Sequence, residues 1–293
     1  MLSLHTNAAA LSAQNSITRT QNSLSTSMTR LSTGFRINSA MDDAAGLQIA
    51  TRLKTQTSGM TVAMRNTQNS ISLMQTAEGA LDESTNILNR MKDLATQAAD
   101  DSSTSADRTA MQKEFDTLTD ELSNIVANTK FGGTTLFNSA GGKLTAALKF
   151  QIGADSTETM TGDFTAELTQ IGTDVVAAAT GFVTTGTGAA AGSELGTTTS
   201  TAANGTIGKL ATAINSVGAL RSKLGAVSNR LDHVYNNLAN ISTNTKNATG
   251  RIMDVDFASE SATMTSSQML LQAGTAMLKQ TNSQSSLVLS LLQ

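Results

Sequence analysis

Apolar residues recur along most of this chain every three or four positions, the spacing that puts them on one face of a helix. Near the start, Ile17, Leu24, Met28, Leu31 and Phe35 form one such stripe. It predicts an amphipathic helix that stops around Thr33-Gly34, where glycine suits a helix end. Asn38-Ser39 with Asp42 and Asp43 reads as the next helix start, since small polar caps satisfy free amides and carboxylates favour the positive helix end. From there to about Ala99 one helix is predicted, with Leu53, Met60, Met74, Leu81, Leu88 and Ala95 on a seven-residue series interrupted by Thr67. At 1.5 Å per residue it would be about 85 Å long, too long for a compact globule. After a polar turn at Asp100-Asp101-Ser102-Ser103, the residues Met111, Phe115, Leu118, Leu122 and Ile125 alternate by four and three, as in an antiparallel partner helix.

The period changes between Thr129 and Gly172. Phe131-Gly132-Gly133, Phe137-Asn138 and Gly141-Gly142 punctuate short alternating runs such as Leu148-Lys149-Phe150-Gln151-Ile152, which predict small hairpins. Residues 175–208 carry one charge, Glu194, amid Ala, Thr, Val and Gly. They read as a short, weakly specified surface excursion of one or two hairpins, whose deletion over 178–204 is expected to be tolerated. Helical spacing returns with Leu210, Ile214 and Val217, then Leu220, Leu224, Val227, Leu231, Val234, Leu238 and Ile241. It breaks from Arg251 to Phe257, and in a last amphipathic segment Leu271, Leu278 and Leu292 stand at multiples of seven. The expected fold is mainly α: long coiled-coil rods from both termini, with a small β-hairpin region in the middle of the chain.

Composition sharpens this picture. The 293 residues include no Trp, one Tyr and eight Phe, so Leu, Ile, Val, Met and Ala must build the core, as suits helices packed side by side. Proline is absent, which lets helices run unkinked; cysteine is absent, which excludes disulfides, zinc ribbons and thiol catalysis. The first residues lack the basic and apolar regions of a cleaved secretory signal, and no stretch approaches the roughly 20 apolar residues of a membrane span.

Charge is placed unevenly. The net charge is −3, so no nucleic-acid partner is expected. Residues 1–41 hold no acid and only Arg19, Arg30 and Arg36, while residues 261–293 hold only Lys279. Such uncharged, amphipathic ends suit the interior of an assembly, where a buried charge would need a partner. A thin helix cannot hide its apolar face alone, so each end must find company, either the other end or a neighbouring subunit. His5 and His233 are isolated and lack the companions of a catalytic triad or metal site, and neither Gly142-Lys143 nor Gly186-Thr187-Gly188 has the setting of a phosphate loop. No enzyme, metal or cofactor is expected.

Particular residues then carry a resemblance. The run from Leu31 to Leu47, LSTGFRINSAMDDAAGL, together with Gln75-Thr76-Ala77-Glu78-Gly79-Ala80-Leu81, closely resembles the N-terminal signature of bacterial flagellins. The run from Ala219 to Leu231, ALRSKLGAVSNRL, and Leu271-Gln272-Ala273-Gly274-Thr275 resemble the C-terminal one. The likeness spans roughly residues 1–155 and 207–293.

It implies a structural subunit that polymerises into the flagellar filament, is exported unfolded through the flagellar type III channel without a cleaved signal, and lies outside the cell. Residues 1–41 with 255–293 are expected to form the filament-core coiled coil, 42–174 with 207–254 an outer helical-rod domain with hairpins, and 175–206 a variable surface segment. The expected core interface is Ile17, Leu24, Met28, Leu31, Phe35, Leu271, Leu278, Leu289 and Leu292. The resemblance further implies an export chaperone on Leu270, Leu271, Leu278 and Leu289, hook-associated junction and cap proteins as neighbours, and recognition by a host Toll-like receptor through Arg90, Leu94 and Glu114. A hook-filament junction protein is the alternative, and a cytosolic coiled-coil adaptor would instead show charged positions flanking its stripes.

Overall fold

The computed structural model describes residues 7–186, 192–196 and 200–291, with side chains to Ser283. Its elements run α1 (Ala8–Thr33), α2 (Ala44–Ala98), α3 (Ser105–Asn128), β1 (Lys130–Phe131), β2 (Thr134–Thr135), a 3-10 turn (Lys143–Thr145), β3 (Leu148–Gln151), β4 (Thr159–Gly162), α4 (Thr165–Ala178), α5 (Thr201–Met253) and α6 (Phe257–Leu291). The fold is mainly α with two small hairpins, as expected. The chain divides into two compact units, Met1–Thr57 with Thr243–Gln293, and Ser58–Ser242.

The Ser58–Ser242 unit holds the large core. Its seven-residue series on α2 is buried from Met60 through Ala95. Thr67, the apparent break, is buried too, because its hydroxyl donates to the Ala63 carbonyl one turn back at 2.8 Å. The α3 residues Met111, Phe115 and Leu122 face this series, together with Leu210, Val217, Leu220, Leu224 and Leu231 of α5. A capping box starts α3: Thr104 Oγ1 accepts the Asp107 N–H while the Asp107 carboxylate accepts the Thr104 N–H. Ile241 departs from its predicted stripe and is exposed, with Ser242 buried in its place, since 3.6 residues per turn drift off a fixed three-four series.

Both hairpins are antiparallel. β1 and β2 turn through Gly132 and Gly133 at φ +59° and +81°, the left-handed pair a two-residue hairpin loop requires. β3 pairs with β4 from Leu148↔Gly162 to Gln151↔Thr159.

Two expectations need correction. Residues 165–178 form α4, where hairpins or irregular chain were expected; Leu168, Ile171, Val175 and Ala178 step by three, four and three onto the core. And the described residues between α4 and Thr201 include no strand and are tied to the core. Ala179, Phe182 and Leu195 are buried in the core. Glu194 Oε1 accepts the Thr180 N–H at 2.7 Å and its hydroxyl, and Oε2 accepts Gln112 Nε2 at 2.9 Å. Gln112 Nε2 also donates to Asp116 Oδ1 at 2.8 Å, and its Oε1 accepts the Leu195 N–H at 2.9 Å. Deleting 178–204 would strip these buried side chains from the core and take from Gln112 its Glu194 and Leu195 partners, leaving it Asp116, so the deletion should destabilise the unit.

Candidate assembly interface

In the unit made of the two chain ends, α1 and α6 pack against one another. Asn7 caps α1 by accepting the Ala10 N–H at 3.1 Å, and its amide reaches the Thr281 carbonyl on α6 at 3.5 Å. Along α1 the covered positions are Ala13, Ile17, Thr20, Leu24, Ser27 and Leu31; along α6 they are Met264, Ser267, Leu271, Gly274, Leu278 and Thr281. Both sets alternate by four and three, the spacing of a coiled-coil seam. The seam is lean: among the described residues, the only buried ones on it are Ser27 and Ser267. Gly274 permits the close approach, since a Cβ there would stand 2.9 Å from Ile17 Cγ1.

A strap holds the ends of this pair in register. Gly34 ends α1 in the left-handed conformation at φ +77°, its N–H bonded to the Arg30 carbonyl at 2.9 Å. Phe35 then bridges Asp254 antiparallel: the Arg36 N–H donates to Met253 O at 2.6 Å and the Val255 N–H to Gly34 O at 3.0 Å. Arg30 lies 3.7 Å from Glu260 and 4.0 Å from Asp42. The N–H groups of Ser39 and Asn38 hold the Asp42 carboxyl below the usual aspartate range, with help from the Ser39 hydroxyl and Arg30. Asp43 Oδ1 accepts the Gly46 N–H at 2.8 Å at the start of α2. The expected start signal at 38–43 thus has two parts, a turn closed by Asp42 and a cap supplied by Asp43.

The predicted interface residues divide. Ile17, Leu24, Leu31, Leu271 and Leu278 meet in the seam, partly buried. Met28 (50% exposed), Phe35 (44%) and Leu270 (61%) point away from it, as does Met277 (65%), which sequence reasoning missed. Leu270 and Met277 are seven apart on one helix, so α6 carries a second apolar strip beside the seam, while α1 exposes Met28 there and Phe35 lies past the helix end, beyond Gly34. The Leu289 side chain and Leu292 lie outside the described residues. Ser27, Ser267 and Gly274 were also missed; their signal was the seven-residue spacing itself, applied to small residues.

This geometry leaves the pair short of stabilisation. Ordering each residue costs about 1–2 kcal/mol of backbone entropy, whereas a fully buried leucine returns about 1.5–3 kcal/mol. Along α1 and the part of α6 whose side chains are described, the seam offers few apolar side chains, and all of them are incompletely covered. Such a pair needs further apolar surface to cover it.

In the other unit, Arg90 Nε and Nη2 both donate to Glu114 Oε1, at 2.9 and 2.6 Å, and both side chains are about half exposed. Leu94, four residues along α2 from Arg90, is buried in the core. A cleft of about 280 Å³ lies among Leu81, Phe137, Ile171 and Phe182; none of its lining residues can act as acid or base near neutral pH. Among the described residues no group of three or more metal-ligating side chains comes together, and no helix is long and apolar enough to cross a membrane.

Comparison with known proteins agrees with this arrangement. The family model for the bacterial flagellin N-terminal helical region matches residues 4–141, and that for the C-terminal helical region matches residues 207–292. Polar flagellin F of Vibrio parahaemolyticus is 53% identical over 157 residues, 54% of this chain and 41% of that one. The B-type flagellin of Pseudomonas aeruginosa is 50% identical over 159 residues, 54% of this chain and 32% of that one. The chain thus spans about two fifths or less of the length of these curated relatives. The crystal structure of Bacillus cereus flagellin is 31% identical, covers 59% of this chain and 88% of that chain, and superposes with a TM-score of 0.47.

Proposed function

The chain belongs to the bacterial flagellin family, a family of structural proteins, and from that premise we propose that it polymerises into the flagellar filament through its two ends. Residues 1–41 with 255–293 serve as the filament-core coiled coil, 42–174 with 207–254 as the outer rods, and 175–206 as the outermost segment. The observation that carries this reading is the lean α1–α6 seam with exposed apolar side chains beside it, Met28 on α1 and Leu270 and Met277 on α6. Copies of the same chain supply the missing cover. The relatives named above are filament flagellins by name, so the hook-filament junction alternative is not favoured.

The same reading places the protein outside the cell after export as an unfolded chain. The export chaperone takes α6 through Leu270, Leu271, Leu278 and Leu289, and hook-associated junction and cap proteins meet the filament's two ends. A host Toll-like receptor meets the exposed Arg90–Glu114 pair, with Leu94 acting from the core by holding α2 on α3.

Seeded elongation followed by electron microscopy tests the central part. The wild type should grow long tubes of uniform diameter, and Leu31→Asp or Leu278→Asp should not grow while the Ser58–Ser242 unit keeps its helicity. Normal tubes from either variant, or a wild type that stays monomeric beside active seeds, would overturn it.

A further inference from the structure

The 13 methionines are sorted between the two units. In Ser58–Ser242, Met60, Met74, Met91, Met111 and Met160 are buried, where a flexible thioether fills irregular gaps in the core. The four described methionines that are exposed, Met28, Met41, Met269 and Met277, all belong to the unit of the chain ends. Three of them lie on its helices. Met28 sits one residue past Ser27 of the seam, and Met277 one residue before Leu278. Met269 adjoins Leu270 on the outward side of α6. Lys279 is the single charge among residues 261–293, so no charged group crowds these sulfurs on α6.

We propose that Met28, Met269 and Met277 form an oxidation-sensitive modification site that switches self-assembly off and, after repair, on again. This rests on the filament-subunit reading above. The co-reactant is a two-electron oxidant of the peroxide class. The thioether sulfur attacks one peroxide oxygen and the O–O bond breaks. The departing hydroxide takes the proton from the sulfur-bound hydroxyl and leaves as water. Sulfur is oxidised by two electrons to the sulfoxide, and the peroxide is reduced by two.

The product replaces a flexible apolar contact with a polar S=O group. On a strip that a second copy must cover, that oxygen is buried without a donor. A buried unpaired polar group weakens association by about tenfold or more at each such position. Cover by neighbouring copies shields the same sulfurs, so free chains are the sensitive form and assembled ones are protected. Reductases for the two sulfoxide epimers reverse the change. Met41 is almost fully exposed but lies in the turn between α1 and α2, off both helices, so its oxidation is silent.

The test compares the full-length chain before and after dilute hydrogen peroxide, with one-oxygen adducts located by peptide mass mapping and elongation measured from untreated seeds. The expected result is adducts on Met28, Met41, Met269 and Met277 but not on Met74 or Met91, elongation at least about tenfold slower, and recovery on treatment with both reductases. The combined variant M28L, M269L and M277L should elongate at the same rate before and after peroxide, whatever that rate is beside the wild type, whereas M41L alone should remain sensitive. If the triple variant does not elongate, recovery of the wild type by the reductases decides the matter. Equal elongation of oxidised and untreated chain overturns this proposal while leaving the filament reading intact. Failure of the untreated chain to elongate strikes the filament reading itself.

Discussion

Gln112→Leu should cost the Ser58–Ser242 unit about 2–4 kcal/mol while keeping side-chain volume. Gln112 is buried and spends all its polar capacity: its amide donates to Asp116 and Glu194, and its oxygen accepts the Leu195 N–H. Leucine leaves that N–H, on a fully buried residue, without an acceptor, at about 1–3 kcal/mol. It also removes a charge-assisted bond from each carboxylate, worth about 1.5–3 kcal/mol apiece before water replaces part of it. Glu194 keeps its Thr180 bonds and Asp116 keeps the Gly192 N–H at 3.2 Å, so the lower figures apply. Better burial of leucine returns roughly 1 kcal/mol. For a unit of this size the net loss lowers Tm by about 5–15 °C. Calorimetry of the full-length protein reads it. A change within about 1 °C would show that the Gln112 network does not hold the 180–195 segment, and would refute the reasoning.

Other outcomes follow from the same geometry. Burial by itself raises the Glu194 carboxyl, but the Thr180 hydroxyl and N–H and the Gln112 amide outweigh it and hold the group below the ordinary glutamate range. Its stabilisation is therefore complete above about pH 4.3 and disappears as pH falls through the lower folded value. Melting curves of wild type and Glu194→Gln should differ at pH 7 and converge only as pH falls below the lowered folded value; a constant gap would contradict this. Gly274→Val places a Cβ against Ile17 and should raise the critical concentration for elongation about 5- to 150-fold through about 1–3 kcal/mol of overpacking. Adding Ile17→Ala should recover part of the loss, and a double variant worse than the sum of the singles would refute the contact. Thr104→Ala removes the capping box of α3 and should lower the melting temperature by about 2–4 °C for roughly 1 kcal/mol; no shift would mean that the cap is dispensable.

The rods were legible because long helices repeat their burial pattern many times. The series from Met60 to Ala95 survives one polar member, since Thr67 can turn its hydroxyl onto its own helix. The seam of α1 and α6 was legible at Ile17, Leu24, Leu31, Leu271 and Leu278, where large side chains mark it. At Ser27, Ser267 and Gly274 it was not, because close packing there depends on lacking bulk. Phe35 fits the α1 stripe by number yet leaves it, as the left-handed Gly34 redirects the chain into the bridge with Asp254. α4 was hidden by Gly172 and its Thr and Val residues, weak helix formers whose packing against the core outweighs local preference. The 179–200 segment looked unspecified because its anchor, Glu194, works through residues more than 80 positions away, at Gln112 and, through Leu195, at its oxygen.

Amide hydrogen exchange on free and assembled protein, read segment by segment, tests the central claim most directly. Because the α1–α6 pair lacks cover of its own, residues 8–33 and 257–291 should exchange rapidly in the free chain and become strongly protected on assembly, while α2 and α3 within Ser58–Ser242 are protected in both. Ends already protected in the free chain, or still exchanging freely in the polymer, would contradict the account.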